Sequence, residues 1–176
     1  MIVPSYNNDR SDDLSKHIKV YLRMGLLIMA AWGVNCDGSC RCGKADCKYP
    51  GKHPHGEFCP HGLKDASGDI NVISSWIAQD PTLNLGVRTG KESGITVLDV
   101  DPRHGGLESL KALDVPDTLR AKTGGNGYHY FFQHPGVPVK SAANVFGPGL
   151  DTRGDGGYII VAPSRHASGG TYEWMT

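Results

Sequence analysis

All five cysteines of the chain fall between Cys36 and Cys59, in a stretch with almost no large apolar side chain. Burial of apolar surface is the dominant force in folding, and this stretch has too little of it to hold itself together. It reads Cys36-Asp-Gly-Ser-Cys40-Arg-Cys42-Gly-Lys-Ala-Asp-Cys47 and runs on through His53, His55, Cys59 and His61. An odd cysteine count behind a polar, acidic N-terminus without a secretory pattern argues against disulfides and for a reducing, cytoplasmic setting. Thiolate sulfur and imidazole nitrogen are the ligands of structural Zn²⁺, and four of them would close the segment. Cys40, Cys42, Cys47 and His53 form the preferred set, with Cys36, His55, Cys59 and His61 as substitutes. The plain alternative is a loop with free thiols. Arg41, Lys44, Lys48, Lys52 and Lys64 make this the most basic region, suited to a phosphate backbone or to a solvated surface.

The chemistry is concentrated further on, in Ile95-Thr96-Val97-Leu98-Asp99-Val100-Asp101. Read as a strand, it is apolar up to Leu98 and then presents two carboxylates one residue apart. Side chains alternate faces along a strand, so Asp99 and Asp101 point the same way. Like charges this close raise each other's pKa unless a positive partner intervenes. A divalent ion is the economical partner, since hard carboxylate oxygens suit Mg²⁺ or Mn²⁺, and such a pair would hold a phosphate-bearing substrate. The competing reading is a strand entering a turn, because Asp-Pro-Arg-His-Gly-Gly follows.

The 176 residues suffice for one domain, or one domain with an inserted module, with a real core. Net charge is zero, so any nucleic-acid contact must come from local patches. No apolar run is long enough for a membrane span. Residues 1–10 read as a loose leader and 11–176 as the domain, with 36–61 as the Cys/His segment. Ser11-Asp12-Asp13 caps a helix carrying Leu14, Ile18, Leu22 and Leu26, expected to end near Gly33. Asp69 caps a second, with Ile70, Ile73, Trp76 and Ile77, stopped by Pro81. Leu83–Gly90 alternates as a strand, and Lys91–Gly94 reads as a hairpin-like turn into the aspartate strand. A short helix after Gly106 carries Leu107, Leu110 and Leu113. Further strands are expected at Thr118–Thr123, Tyr128–Phe132, Tyr158–Ala162 and Thr171–Trp174. Lys122-Thr123-Gly124-Gly125-Asn126-Gly127 is either a backbone nest for phosphate or ribose, or an ordinary Gly-rich hairpin. His129 follows it, and Leu150-Asp151 offers a third carboxylate.

Four stretches in order, NLGVRTG, GITVLDVDPRHGG, TGGNGYHYFF and GLDTRGDGGYIIVAPSRH, resemble the primase-polymerase (Prim-Pol) domain of the archaeo-eukaryotic primase superfamily. CRCGKADCKYPGKHP resembles a cysteine-bearing segment of a subset of that family. The resemblance runs from about Gly33 to Trp174. It implies an α+β fold: a primase-like catalytic core (a modified RNA-recognition fold), an N-terminal α/β unit and the Cys-rich segment. It implies that Asp99, Asp101 and Asp151 bind two Mg²⁺ or Mn²⁺ ions and that His129 contacts the nucleotide's phosphates. Larger family members continue into a helical bundle and a helicase, so the chain reads as an excised catalytic domain.

The implied function is a DNA primase and polymerase that makes and extends primers from nucleoside triphosphates on single-stranded DNA. Its setting would be the replication of a phage, plasmid or other mobile element. Lys122, His129 and Arg153 are candidates for residual phosphate charge, and Thr123 and Gly124 for the nest. Ser164 and His166 are expected at the cleft wall, and Tyr158 either on the sugar or in the core. Two other readings stay open: a non-catalytic zinc-stabilised nucleic-acid module, and a metal-dependent nuclease.

Overall fold

The structure, a computed structural model, describes residues 6–175, with side chains from Arg10 onward. The elements in chain order are α1 (Tyr6–Arg23), β1 (Ile28–Ala31), α2 (Ile70–Gln79), β2 (Asn84–Arg88), β3 (Ile95–Val100), α3 (Gly106–Lys111), β4 (Arg120–Lys122), β5 (Tyr128–Gln133), β6 (Leu150–Arg153), β7 (Tyr158–Val161) and β8 (Glu173–Trp174). They build an α+β fold with two antiparallel sheets. One has strand order β1-β2-β7 and the other β6-β3-β5-β4-β8. No helix among the described residues is long and apolar enough to cross a membrane.

The first sheet is covered by α1 and α2. Leu14, Ile18 and Tyr21 of α1 and Ile73, Trp76 and Ile77 of α2 bury against Ile28–Ala31, Leu85 and Val87. This core continues onto one face of the second sheet through Val97, Ala121 and Phe131. The opposite face buries Leu98, Val100 and Leu150, with Leu110 of α3 packed on them. The period-two alternation of β3 is what divides the two cores.

Three expectations change. The first helix ends at Arg23, Gly25 turns at φ 75°, and Ile28–Ala31 is a strand rather than a helical turn. All four strand residues are buried, and so short an apolar run has no periodicity to tell strand from helix. Of the expected leader, residues 1–5 lie outside the described residues and 6–10 open α1, where Arg10 donates to the Leu83 carbonyl at 2.9 Å. The Lys91–Gly94 turn is hairpin-like only at its base, where the antiparallel Gly90–Ile95 bridge closes it, and the pairing goes no further because β2 and β3 lie in different sheets.

The chain passes between sheets again from β6 to β7, and these two crossings touch. Thr89 donates its backbone N–H to Gly157 (2.9 Å) and its hydroxyl to Gly154 (2.7 Å), while Asp155 accepts from the backbone of Lys91 (2.9 Å) and Val139 (2.8 Å). Gly90 has φ 97°, and a Cβ there would stand 2.6 Å from the Asp155 Cα.

At the seam between α1 and β7, the Tyr21 hydroxyl donates to the Ala162 carbonyl at 2.7 Å and accepts from the Trp174 indole at 3.1 Å. Tyr21→Phe leaves both groups unpaired, so urea unfolding should report a loss of about 1–3 kcal/mol.

Candidate functional site

On β3, Val97 sits in the main core and Asp99 is the next residue on the same face. Asp99 is the Cα partner of Asp151 on β6 and of His129 on β5. The three side chains therefore stand abreast across the sheet, and Asp101 follows just past the strand end. Arg153 bridges the first two carboxylates, its guanidinium 3.0 Å from an oxygen of Asp99 and 3.0 Å from one of Asp151. Asp151 also accepts from the Asn144 backbone at 3.0 Å. Asp101 is gripped by the Arg103 fork at 3.0 and 2.6 Å and touched by His104 at 3.1 Å.

Burial alone would raise the Asp99 carboxyl, but His129 and Arg153 outweigh it and hold it down at about 2. Hydrogen bonds from Arg103 hold Asp101 well below the usual carboxylate range. Both are therefore ionised at neutral pH. His129 is buried, with Nε2 3.5 Å from Asp99 and Nδ1 without a hydrogen-bond partner among the described residues. These groups floor a cleft of about 520 Å³. Its walls are Tyr49 and Lys52 from the Cys-rich segment, Thr123 and Gly125, Gly156–Tyr158, and His166 with Tyr172. A second cavity, about 560 Å³, shares Asp101 and Asp151 and is lined by His104, Asn144 and Gly147–Gly149.

A second cluster lies in the Cys-rich segment. Ligand atoms of Cys40, Cys42, Cys47 and His53 all fall within 4.8 Å of one another, a set that can hold a metal ion. The His53 Nε2 is 3.3 Å from the Cys40 sulfur and 3.4 Å from that of Cys47. Burial lowers the His53 pKa and so favours the neutral, ligating form. The substitutes lie outside this group. Cys36 is exposed, Cys59 is buried in the core, His55 is stacked between Trp32 (3.7 Å) and Phe58 (4.1 Å), and His61 pairs with Asp65. Among the described residues, no other group of three or more such side chains is gathered this tightly. The Asp99–Asp101–Asp151 trio is set wider, with Arg153 between two of its members and Arg103 on the third. Its donors are all hard oxygens facing one cleft, a donor set of the kind that suits divalent cations.

The family model for the N-terminal domain of bifunctional DNA primase/polymerases (Prim-Pol) matches residues 21–176. The chain belongs to this family. No curated protein matches the chain. Prim-Pol membership makes it a primase-polymerase domain of the nucleotidyltransferase type, with DNA and nucleotides as its substrates.

Within this Prim-Pol domain, the structure brings Asp99, Asp101, Asp151, His129, Arg153, Thr123, Tyr158 and His166 to one cleft. It does not bring Lys122, Gly124 or Ser164 there. Lys122 is exposed, because its β4 neighbour Ala121 takes the face that His129 shares. Ser164 is fully buried and its hydroxyl accepts from the Leu85 backbone at 2.9 Å. The glycines serve close packing more than a nest. A Cβ on Gly124 would lie 2.3 Å from the His166 Cβ, and one on Gly127 2.1 Å from the Val100 carbonyl, which leaves Gly125 at the cleft. The Tyr158 hydroxyl is committed to the Lys52 carbonyl at 2.9 Å. Sequence reading missed Tyr49, Arg103 and Tyr172, and named Lys52 only as one of five basic residues of the Cys-rich region. Arg103 was the most accessible of these, since it directly follows the Asp101-Pro102 turn.

The Cys/His cluster generates a direct test. Elemental analysis of the purified chain should find about one transition-metal ion per chain, falling below about half in Cys47→Ser. Acidification should release the ion, because protons compete for thiolate and imidazole.

Proposed function

We propose that the cleft catalyses template-directed nucleotidyl transfer, making and extending primers on single-stranded DNA from nucleoside triphosphates. The observation that carries this reading is the meeting of three carboxylates and a buried histidine from separate elements, ringed by Arg153, Arg103 and Lys52. A surface for nucleic-acid binding alone gains nothing from an acidic floor, which repels phosphate. An acidic floor with cationic walls suits a polyanion that arrives with divalent ions.

Asp99, Asp101 and Asp151 are the residues that would hold two Mg²⁺ or Mn²⁺. Bound there, such ions lower the pKa of an attacking hydroxyl and neutralise charge on the leaving oxygens. The chain's own groups do the rest. Arg153, already shared between two carboxylates, is placed to turn one of its donors to a phosphate oxygen. His129, aligned by Asp99, supplies an imidazole beside the phosphates. Thr123 braces its loop by accepting from the Gly127 backbone at 3.0 Å. The cavity that shares Asp101 and Asp151 offers room for the primer terminus beside the nucleotide.

We further read the ion of Cys40, Cys42, Cys47 and His53 as structural Zn²⁺, because a three-sulfur, one-nitrogen set is a closed zinc site. The cellular setting, replication of a phage, plasmid or other mobile element with a helicase acting alongside, belongs to the same reading and rests on family resemblance.

The experiment is incubation with single-stranded template, labelled triphosphates and Mg²⁺ or Mn²⁺, with and without primer. Asp99→Asn and Asp101→Asn should each lower extension at least about 100-fold with far-UV circular dichroism unchanged. Extension that survives either change refutes the metal assignment. His129→Ala should mainly raise the apparent KM for nucleotide, and an unchanged KM counts against its phosphate role. A triphosphate with Mg²⁺ should raise the wild-type melting temperature, which a nuclease without a triphosphate site would not show.

A further inference from the structure

The Cys-rich segment and the acidic cleft share a short piece of chain. Between two members of the metal cluster, Cys47 and His53, lies Tyr49-Pro50-Gly51-Lys52. Its backbone closes as a turn, with the Lys52 N–H donating to the Tyr49 carbonyl at 3.1 Å. Pro50 occupies the second position and Gly51 the third at φ 72°, the arrangement that a type II turn requires. Cys47 and His53 approach to 3.4 Å, so the turn is pinched at its base.

The outside of the turn is also fixed. Asn84, fully buried, donates to the Gly51 carbonyl at 2.9 Å and to the Arg165 carbonyl at 2.8 Å. Tyr158 donates to the Lys52 carbonyl at 2.9 Å. A Cβ on Gly51 would meet Val34 at 2.7 Å, so the turn is seated against its neighbours. Of the five basic residues of this region, Lys52 alone is turned into the cleft, while Lys48, four residues earlier, is exposed. It stands on the wall facing Asp99 and Asp101 without an ion-pair contact to either. A half-buried lysine, fixed at its backbone and without an ion-pair contact among the described residues, is the arrangement of an anion ligand awaiting its anion.

We propose that Lys52 is a triphosphate ligand of the nucleotide site, and that the metal-closed Cys47–His53 turn positions it there. The inference rests on the nucleotidyl-transfer reading and deepens it, by giving the Cys-rich segment a part in nucleotide capture. Loss of the metal would slacken the base of the turn, while Asn84 and Tyr158 would still hold the Gly51 and Lys52 carbonyls.

The test measures dissociation constants by fluorescence anisotropy with a labelled nucleoside triphosphate and the matching monophosphate, in Mg²⁺ at fixed ionic strength. Lys52→Met keeps the aliphatic stem and removes the charge. It should weaken triphosphate binding about tenfold to a hundredfold and monophosphate binding much less. Lys48→Met should stay within about twofold of wild type. Removing the ion from the Cys/His cluster should weaken triphosphate binding in wild type but add little to Lys52→Met. Where removal unfolds the chain, Tyr158→Phe, which frees the Lys52 carbonyl, takes its place in the same comparison.

Triphosphate binding by Lys52→Met within about twofold of wild type overturns the proposal, as does an equal loss for triphosphate and monophosphate. Full additivity of metal removal and Lys52→Met overturns the positioning role. A wild-type chain that binds no triphosphate sinks the nucleotidyl-transfer reading itself. Wild-type binding that Lys52→Met leaves intact sinks this inference alone.

Discussion

Antiparallel pairing sets Asp99 directly opposite Asp151, and like charges on directly opposed residues destabilise a sheet. Two unit charges of like sign about 5 Å apart at an effective dielectric near 20 repel by about 3 kcal/mol, a sizeable share of a domain's stability. Moving either residue along the strand would not relieve it, because a one-residue slip exchanges core and solvent faces along all of β3. The register is dictated by Val97, Leu98 and Val100, which fill two separate cores. The conflict is met by guanidinium and imidazole neighbours instead. Arg153 spans the pair, Arg103 takes Asp101, and His129 lies against Asp99 on its other flank. Hydrophobic packing fixes the positions of the acids, and electrostatics then selects their neighbours.

The same division of labour explains the Cys-rich segment. It contributes little to either core, yet it forms one wall of the cleft, so its shape has to be enforced by directional contacts. Four soft or borderline ligands that can hold a metal ion at one end, and hydrogen bonds from Asn84 and Tyr158 at the other, are the means available without apolar surface. Such a wall can present polar groups to a polyanion that a packed hydrophobic element would exclude.

Much of this was legible in the sequence, and the residues show why. The Asp-x-Asp alternation, the histidine on a later strand and the cysteine density are local patterns with local physical meaning, and the structure places those residues as the patterns imply. Ala121 carried the same kind of information. Its burial puts Lys122 on the far face, and the alternation that identified Asp99 argued against Lys122 as well. Ser164 and Gly124 were less accessible, since a serine pinning Leu85 and a glycine packed on His166 look the same in sequence as residues at a binding site. Lys52 was the least accessible. Its place beside Asp99 depends on a path through the metal cluster and on Asn84, over thirty residues away, and no periodicity encodes that.

The paired crossings at Thr89–Lys91 and Gly154–Gly157 have a consequence for how this protein can vary. The strand bearing Asp151 and Arg153 pairs in one sheet and the strand bearing Tyr158 in the other, and this stitch joins the two sheets where Gly90 lies almost on the backbone of Asp155. Any side chain at position 90 acts as a wedge between the sheets. It would tilt one wall of the cleft against its floor while leaving every reactive group intact. Lesions far from the chemistry could thus imitate the loss of a catalytic group, and an inherited change at the stitch would have to be matched across it.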